Sequence, residues 1–338
     1  MKNGGTMKSK FWVIIIVAMV FVITGCNNIT LPVDDPVVYT AGYYIEDGIK
    51  IACYWKNGVK RDLVGGINGS EALAIDVLNG SVYISGYYLD GIITKACYWK
   101  DGVKTDLVGG TDSGYAQAIA VSGESVYIAG FYFDGNVNVA CYWKDGVKTD
   151  LFGGTSHTYA NAIAVSEGSV YIAGHYRDGN DVACYWKDGV KIDLSDKSSL
   201  AYANAIDVSG GSVYIAGRFL DGSGACFWKD GVKTDLNSGN SFGSVSAIAI
   251  SDGSIYIAGR YSNTGGDFAC YWKNELKTDL IGGNSANAIA ISGGSIYIAG
   301  RYVYNDTFIA CYWKNGVKKD LIRRKNSTAN CILVISDN

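Results

Sequence analysis

Histidine and proline are scarce in this chain of 338 residues, with 2 of each. The two histidines, His157 and His175, fall near loops of a single repeat, without a nucleophile or orienting partner at a meaningful spacing. A His-Glu-x-x-His pair and a phosphate-cradling Gly-x-x-x-x-Gly-Lys loop are both missing. A single functional histidine stays open. A strong charge of either sign is lacking too: the formal net charge is -3, which gives no electrostatic reason to expect nucleic acid or a strongly anionic surface as partner. What the chain does have is 44 glycines and 25 tyrosines, with many Val and Ile and few helix-favouring runs, the composition of short strands joined by tight turns.

Long apolar runs are confined to the first residues. Lys2, Lys8 and Lys10 precede an apolar stretch from Phe11 to Ile23, followed by Thr24-Gly25-Cys26. This is the layout of a secretory signal, and the stretch is too short to span a bilayer comfortably. Ile23-Thr24-Gly25-Cys26 resembles the bacterial lipobox, which implies a lipid on Cys26 and cleavage that leaves Cys26 as the new N-terminus. A plain transmembrane anchor would need more apolar residues and gives no reason for Gly-Cys at the boundary. The expected layout is a lipoprotein signal peptide at 1–25, a lipidated N-terminus and polar tether at 26–36, and one repeat-built domain at 37–338.

The segment Ala52-Cys53-Tyr54-Trp55-Lys56-Asn57-Gly58-Val59-Lys60 recurs with its cysteine at Cys97, Cys141, Cys184, Cys226, Cys270 and Cys311, at spacings of 41 to 44 residues. A period near forty with several strand-like runs per copy predicts propeller blades of four antiparallel strands. One unit shows them at 115–122, 125–132, 139–144 and 147–151. Asn-Gly or Asp-Gly, as at Asp145-Gly146, stands where a two-residue hairpin requires positive φ. Only Asn274-Glu275 departs from it. The first copy lacks a first strand, and Ala329-Asn330-Cys331-Ile332 aligns with Ala160-Asn161-Ala162-Ile163 of a complete copy. The C-terminal strand should therefore complete the N-terminal blade and close an all-β, seven-bladed β-propeller ring, leaving no sticky edge.

Tyr159-Ala160-Asn161-Ala162-Ile163-Ala164-Val165, after Gly153-Gly154 and before Ser169-Val170-Tyr171-Ile172-Ala173-Gly174, resembles the bacterial seven-bladed β-propeller repeat. The likeness covers the first two strands of nearly every copy. The Cys-Tyr-Trp-Lys-Asp-Gly-Val-Lys-Thr-Asp-Leu half is this chain's own. The resemblance implies an exported, often surface-associated protein and supplies no catalytic residues.

Seven of the nine cysteines occupy equivalent blade positions, too far apart for disulfides or for a shared metal ion, so they should be packed thiols. Cys331 stands where other copies have alanine. The recurring Trp55, Trp99, Trp143, Trp186, Trp228, Trp272 and Trp313 should pack between sheets, each indole N–H needing a partner. Asp47, Asp90, Asp134, Asp178 and Asp221 precede glycines in loops, but without the glycine and distal glutamate of a calcium loop they read as turn residues. No cofactor or metal is expected.

Because the repeats are alike, departures from symmetry carry the functional signal. Alternating strand direction puts both tight-turn classes on one face of the ring and the variable loops on the other, and variable loops on a rigid scaffold are where recognition resides. Those loops span 92–95, 136–139, 222–224, 263–267 and 304–308, and the blade links span 195–200, 237–243 and 323–327. After the Ala-Gly or Ser-Gly of the second strand the series runs Tyr43, Tyr87, Phe131, His175, Arg218, Arg260, Arg301 around the ring. One half of the rim is thus expected to be apolar and the other cationic, joined by Arg323, Arg324 and Lys325. Arginine suits carboxylate or phosphate, so an acidic glycan, a cell-wall polymer or an acidic peptide is the expected partner. The alternative has the arginines solvated on blade surfaces or paired with acids such as Asp221. The sequence thus points to a monomeric, lipid-anchored, non-enzymatic binding or scaffolding module of the bacterial cell envelope, reaching the membrane through Cys26 and not binding nucleic acid. A propeller-type lyase or hydrolase with its site on the loop face, and a purely structural envelope component, are the other readings.

Overall fold

The computed structural model describes residues 35–107, 113–152, 156–220, 224–236, 242–322 and 325–336. Cys26, the signal segment, Asp221, Arg323 and Arg324 lie outside the described residues. Seven antiparallel sheets of four strands follow one another in a ring. Blade 4 shows the unit, with an inner strand Thr158–Ser166, a second strand Ser169–Asp178, a third Asn180–Lys187 and an outer strand Val190–Asp193. In blade 1 the inner strand is the C-terminal Ser327–Ile335, paired with Val37–Glu46. The ring therefore closes as the sequence alignment expects, and its inner strands stand side by side all the way round, last beside first.

The core lies between blades. Trp186, Cys184 and Ile172 of blade 4 pack against Tyr127, Ala129, Ala140 and Leu151 of blade 3, and all seven repeat tryptophans are at most 1% exposed. The indole N–H groups of Trp99, Trp186 and Trp228 donate to the carbonyls of Val64, Phe152 and Leu194, at 2.7, 3.0 and 3.0 Å, in the link leaving the preceding blade. Those of Trp55 and Trp313 meet no acceptor among the described residues. None of the eight described cysteines is in a disulfide. Burial pushes the thiols of Cys53, Cys97, Cys141, Cys184 and Cys311 well up, as expected of packed side chains.

The repeat-specific outer half has its own logic. Tyr176 on the second strand donates to Asp193 Oδ2 at 3.0 Å, while Lys191 Nζ sits 3.1 Å from Asp193 Oδ1 and 3.5 Å from the Tyr176 ring centroid. Equivalent groups recur at Tyr88, Lys104 and Asp106 and at Tyr132, Lys148 and Asp150. Each such pair is worth under about 1 kcal/mol, but it ties the short outer strand to the second across the third. The hairpin aspartate also does more than accept positive φ. Asp145 has φ 51°, and its Oδ1 accepts the Val126 N–H of the second strand at 2.8 Å. The loops between second and third strands are shorter than the sequence suggests. Pairing continues to Asn263 opposite Gly266 and Tyr304 opposite Thr307, because Asn305 and Asp306 accept positive φ in a tight turn.

Every inner strand carries a β-bulge at one place. The skipped residues are Leu73, Gln117, Asn161, Asn204, Ser246, Asn287 and Asn330. Opposite each lies the glycine of the Ala-Gly or Ser-Gly step, and a Cβ there would fall 1.9 to 2.1 Å from an inner-strand carbonyl oxygen. Glycine is required for this close approach and not for an unusual φ. Gly174→Ala should accordingly cost about 3 kcal/mol or more, whereas Val190→Ala on the exposed edge should cost under about 0.5 kcal/mol. Chemical denaturation of the two variants checks this.

Candidate functional site

Each bulge reaims the start of its inner strand, and on the loop face of the ring this gathers side chains from neighbouring blades. The second-strand series pairs with an inner-strand series that the sequence reading did not single out: Tyr43 with Thr328, Tyr87 with Glu71, Phe131 with Tyr115, His175 with Tyr159, Arg218 with Tyr202, Arg260 with Ser244 and Arg301 with Ser285. Through half the ring these rings form an unbroken arc. Centroid separations run 5.0 Å from Tyr87 to Tyr115, 5.0 Å to Phe131, 4.9 Å to Tyr159, 4.6 Å to His175 and 4.8 Å to Tyr202. Arg218 ends it, its guanidinium 5.0 Å from the Tyr202 centroid. Aromatic and cation–π contacts at such distances are mutually attractive.

Blade-to-blade hydrogen bonds hold the arc. Asn138 donates to the Tyr159 hydroxyl at 2.8 Å, and the Tyr202 hydroxyl donates to Asp181 Oδ2 at 2.7 Å. Burial opposes ionisation of Asp181, but hydrogen bonds from Arg177 and Tyr202 prevail and hold its carboxyl below the usual range. The bulge asparagines Asn161, Asn204, Asn287 and Asn330 each donate at 2.9 Å to an inner-strand carbonyl of the next blade, those of Ala203, Val245, Ala329 and Ala72.

The other half of the mouth is open and polar. Tyr43, Glu71, Arg260, Arg301, Ser244, Ser246, Ser285, Asn287, Thr328 and Asn330 line a cavity of about 280 Å³. Glu71 is already engaged, by Lys50 at 2.7 Å, the Tyr87 hydroxyl at 2.8 Å and Asn330 at 3.0 Å. Arg260 stands 3.5 Å from Asp267. Arg301 Nη1 donates to Thr328 Oγ1 at 3.4 Å and its guanidinium lies 4.0 Å from the Phe308 centroid. Among the described residues the buried Nε atoms of Arg301 and Arg218 have no hydrogen-bond partner. The structure thus brings the seven-residue series together at one mouth. Lys325, expected to add to the cationic half, instead bonds Glu46. Loop aspartate Asp134 accepts the N–H groups of Asn136 and Val137, both at 2.8 Å, the geometry of a turn residue. Among the described residues no cluster of three or more His, Cys, Asp or Glu is placed to hold a metal ion.

Neither protein-family models nor curated proteins give a match to this chain.

His175 sits in the arc between Tyr159 and Tyr202. Burial lowers its pKa from 6.5 to about 4, with Asp181 opposing and Arg177 and Arg218 adding to the fall. Its folded pKa lies below its unfolded one, so its stabilising effect is full above about pH 6.5 and is lost as pH falls towards 4. Between pH 7 and 4.5 this should remove about 2 to 3 kcal/mol. His175→Phe, which introduces the residue found at Phe131, should flatten that slope, as urea denaturation at the two pH values would show.

Proposed function

We propose that this chain is a lipid-anchored binding module of the cell envelope, held through Cys26, whose ligand is an anion seated at the loop-face mouth of the propeller. One observation carries the reading: side chains from all seven blades converge on that mouth, where they form two contrasting halves, one of rings in stacked and edge-to-face contact and one an open polar cavity containing two arginines. Symmetric repeats would give a uniform rim, and a ring that only spaced other parts would have no use for the contrast. The arginine geometry favours carboxylate or phosphate, because a planar guanidinium offers paired donors, and Arg301 retains an unpartnered buried Nε.

The position of Val37 is compatible with a tethered role. It pairs with Ile335 at the tight-turn end of blade 1, on the face opposite the mouth. The role proposed is recognition without catalysis. In its support, His157 Nδ1 accepts the backbone N–H of Asn138 at 3.0 Å, and His175 lies between two tyrosine rings, so both histidines serve the frame of the mouth.

Thermal denaturation of the full chain in detergent micelles, with anionic glycans, wall fragments, nucleotides or metal salts added singly, tests this. A ligand at one hundred times its Kd should raise stability by about 2.7 kcal/mol. An Arg218→Ala, Arg260→Ala, Arg301→Ala triple variant should lose the shift given by anions. Equal shifts in wild type and variant would place binding elsewhere on the ring.

A further inference from the structure

Blades 3, 4 and 5 carry tyrosine at the first inward position of the inner strand, at Tyr115, Tyr159 and Tyr202. Blades 6, 7 and 1 carry Ser244, Ser285 and Thr328 there. The cavity lies where these three rings are replaced by small hydroxyl side chains. Its volume approaches the lower end of small-molecule sites, roughly 300 Å³, so it admits one ring-sized unit and not an extended chain. Any longer ligand must continue across the rim, where the neighbouring surface is the aromatic arc beginning at Tyr87.

The lining sets three chemical requirements. Arg301 calls for an acidic group, with Arg260, itself 3.5 Å from Asp267, beside it, and Glu71 does not cancel them because Lys50 and Tyr87 already engage it. Five hydroxyls and two side-chain amides line the same space. Some already bond one another, as Ser285 does to Asn287 Oδ1 and Thr328 to Tyr43, and a partner that covers their remaining hydrogen-bonding capacity with apolar groups gives up hydrogen bonds to water without replacement. The arc beside the cavity offers half-buried ring faces and edges, which suit flat, partly apolar faces more than flexible chains. A carboxylate, many hydroxyls and a rigid ring with an apolar face occur together in a sugar acid. An acidic peptide supplies the carboxylates but lacks the hydroxyls and the ring.

Building on the mouth as the ligand-binding face, we infer that its ligand is a carboxylated oligosaccharide. One sugar acid sits in the cavity with its carboxylate on Arg301 and Arg260, and the following sugar rings lie across Tyr87, Tyr115 and Phe131. Arg301 is prepared for this role, since Thr328 and Phe308 fix its guanidinium before any ligand arrives. Tyr115 is a positioning surface, and Ser244 and Ser285 show that serine is tolerated at its place in other blades.

The test is calorimetric titration of the full chain in detergent micelles. The probes are two uronic-acid tetramers differing in linkage, their carboxyl-reduced forms, a glutamate tetrapeptide and inorganic phosphate. At least one uronate tetramer should bind with a Kd below about 1 mM, and its reduced form at least about tenfold more weakly, as expected when a charged hydrogen bond is lost. Arg301→Gln should weaken uronate binding about tenfold or more, with Arg301→Lys intermediate. Tyr115→Ser should weaken the tetramer and leave a single uronic acid residue unaffected. Glutamate peptide or phosphate binding as tightly as the uronates, with the same dependence on Arg301, would overturn the sugar-acid inference while the anion-binding mouth stands. Uronate binding indifferent to both Arg301→Gln and Tyr115→Ser, or no binding of any probe, would overturn the mouth as the ligand site as well.

Discussion

In every blade a backbone oxygen of the inner strand occupies the place where the Cβ of a second-strand residue would otherwise be. That close approach depends on glycine, and it accompanies a bulge that breaks the alternation of the inner strand. The side chain two residues before the bulge turns to the loop-face mouth, while the residue just before it packs between blades, as Ala160 and Ala203 do at 0% exposure. Four bulges are tied to their successors through asparagine amides, and the last of these, from Asn330 to Ala72, crosses the seam where C-terminal and N-terminal segments meet. Closure of the ring and construction of the mouth thus rest on the same local irregularity.

Given that frame, the character of the mouth depends on few positions. Where the inner strand carries tyrosine, rings from adjacent blades come within about 5 Å of one another and fill the rim. Where it carries serine or threonine, the same backbone leaves a cavity into which Arg260 and Arg301 reach. Burial at the blade interfaces does not change with this contrast. Trp186 in the aromatic half and Trp313 in the polar half are equally buried, so the scaffold tolerates variation at the mouth without loss of core.

The architecture was legible in the sequence because it is periodic. Copies of Cys-Tyr-Trp, Asn-Gly or Asp-Gly pairs and a displaced final strand specify blade number, hairpins and closure without knowledge of any contact. The second-strand series from Tyr43 to Arg301 was legible for the same reason, since it breaks a repeat at one fixed position. Its inner-strand partners were not. Glu71, Tyr115 and Ser244 acquire meaning only in register, and the bulges at Leu73, Gln117 and Ser246 shift that register in a way that simple alternation does not foresee. The grouping of Tyr176, Lys191 and Asp193 was hidden for a similar reason, because it joins the second and outer strands across an intervening third. The second function of the hairpin aspartates, accepting a second-strand N–H, leaves no mark beyond the residue type that the turn already demands.

The central claim is that recognition takes place at the loop-face mouth and not on the tight-turn face. Hydrogen exchange of the full chain, measured with and without a saturating acidic oligosaccharide, tests it most directly. The account predicts slowed exchange confined to the starts of the inner strands, around Glu71, Tyr115, Ser244, Ser285 and Thr328, and to the ends of the second strands that face them. Protection concentrated instead at the hairpins of Asp101-Gly102, Asp145-Gly146 and Asp188-Gly189, with the mouth unchanged, would contradict it.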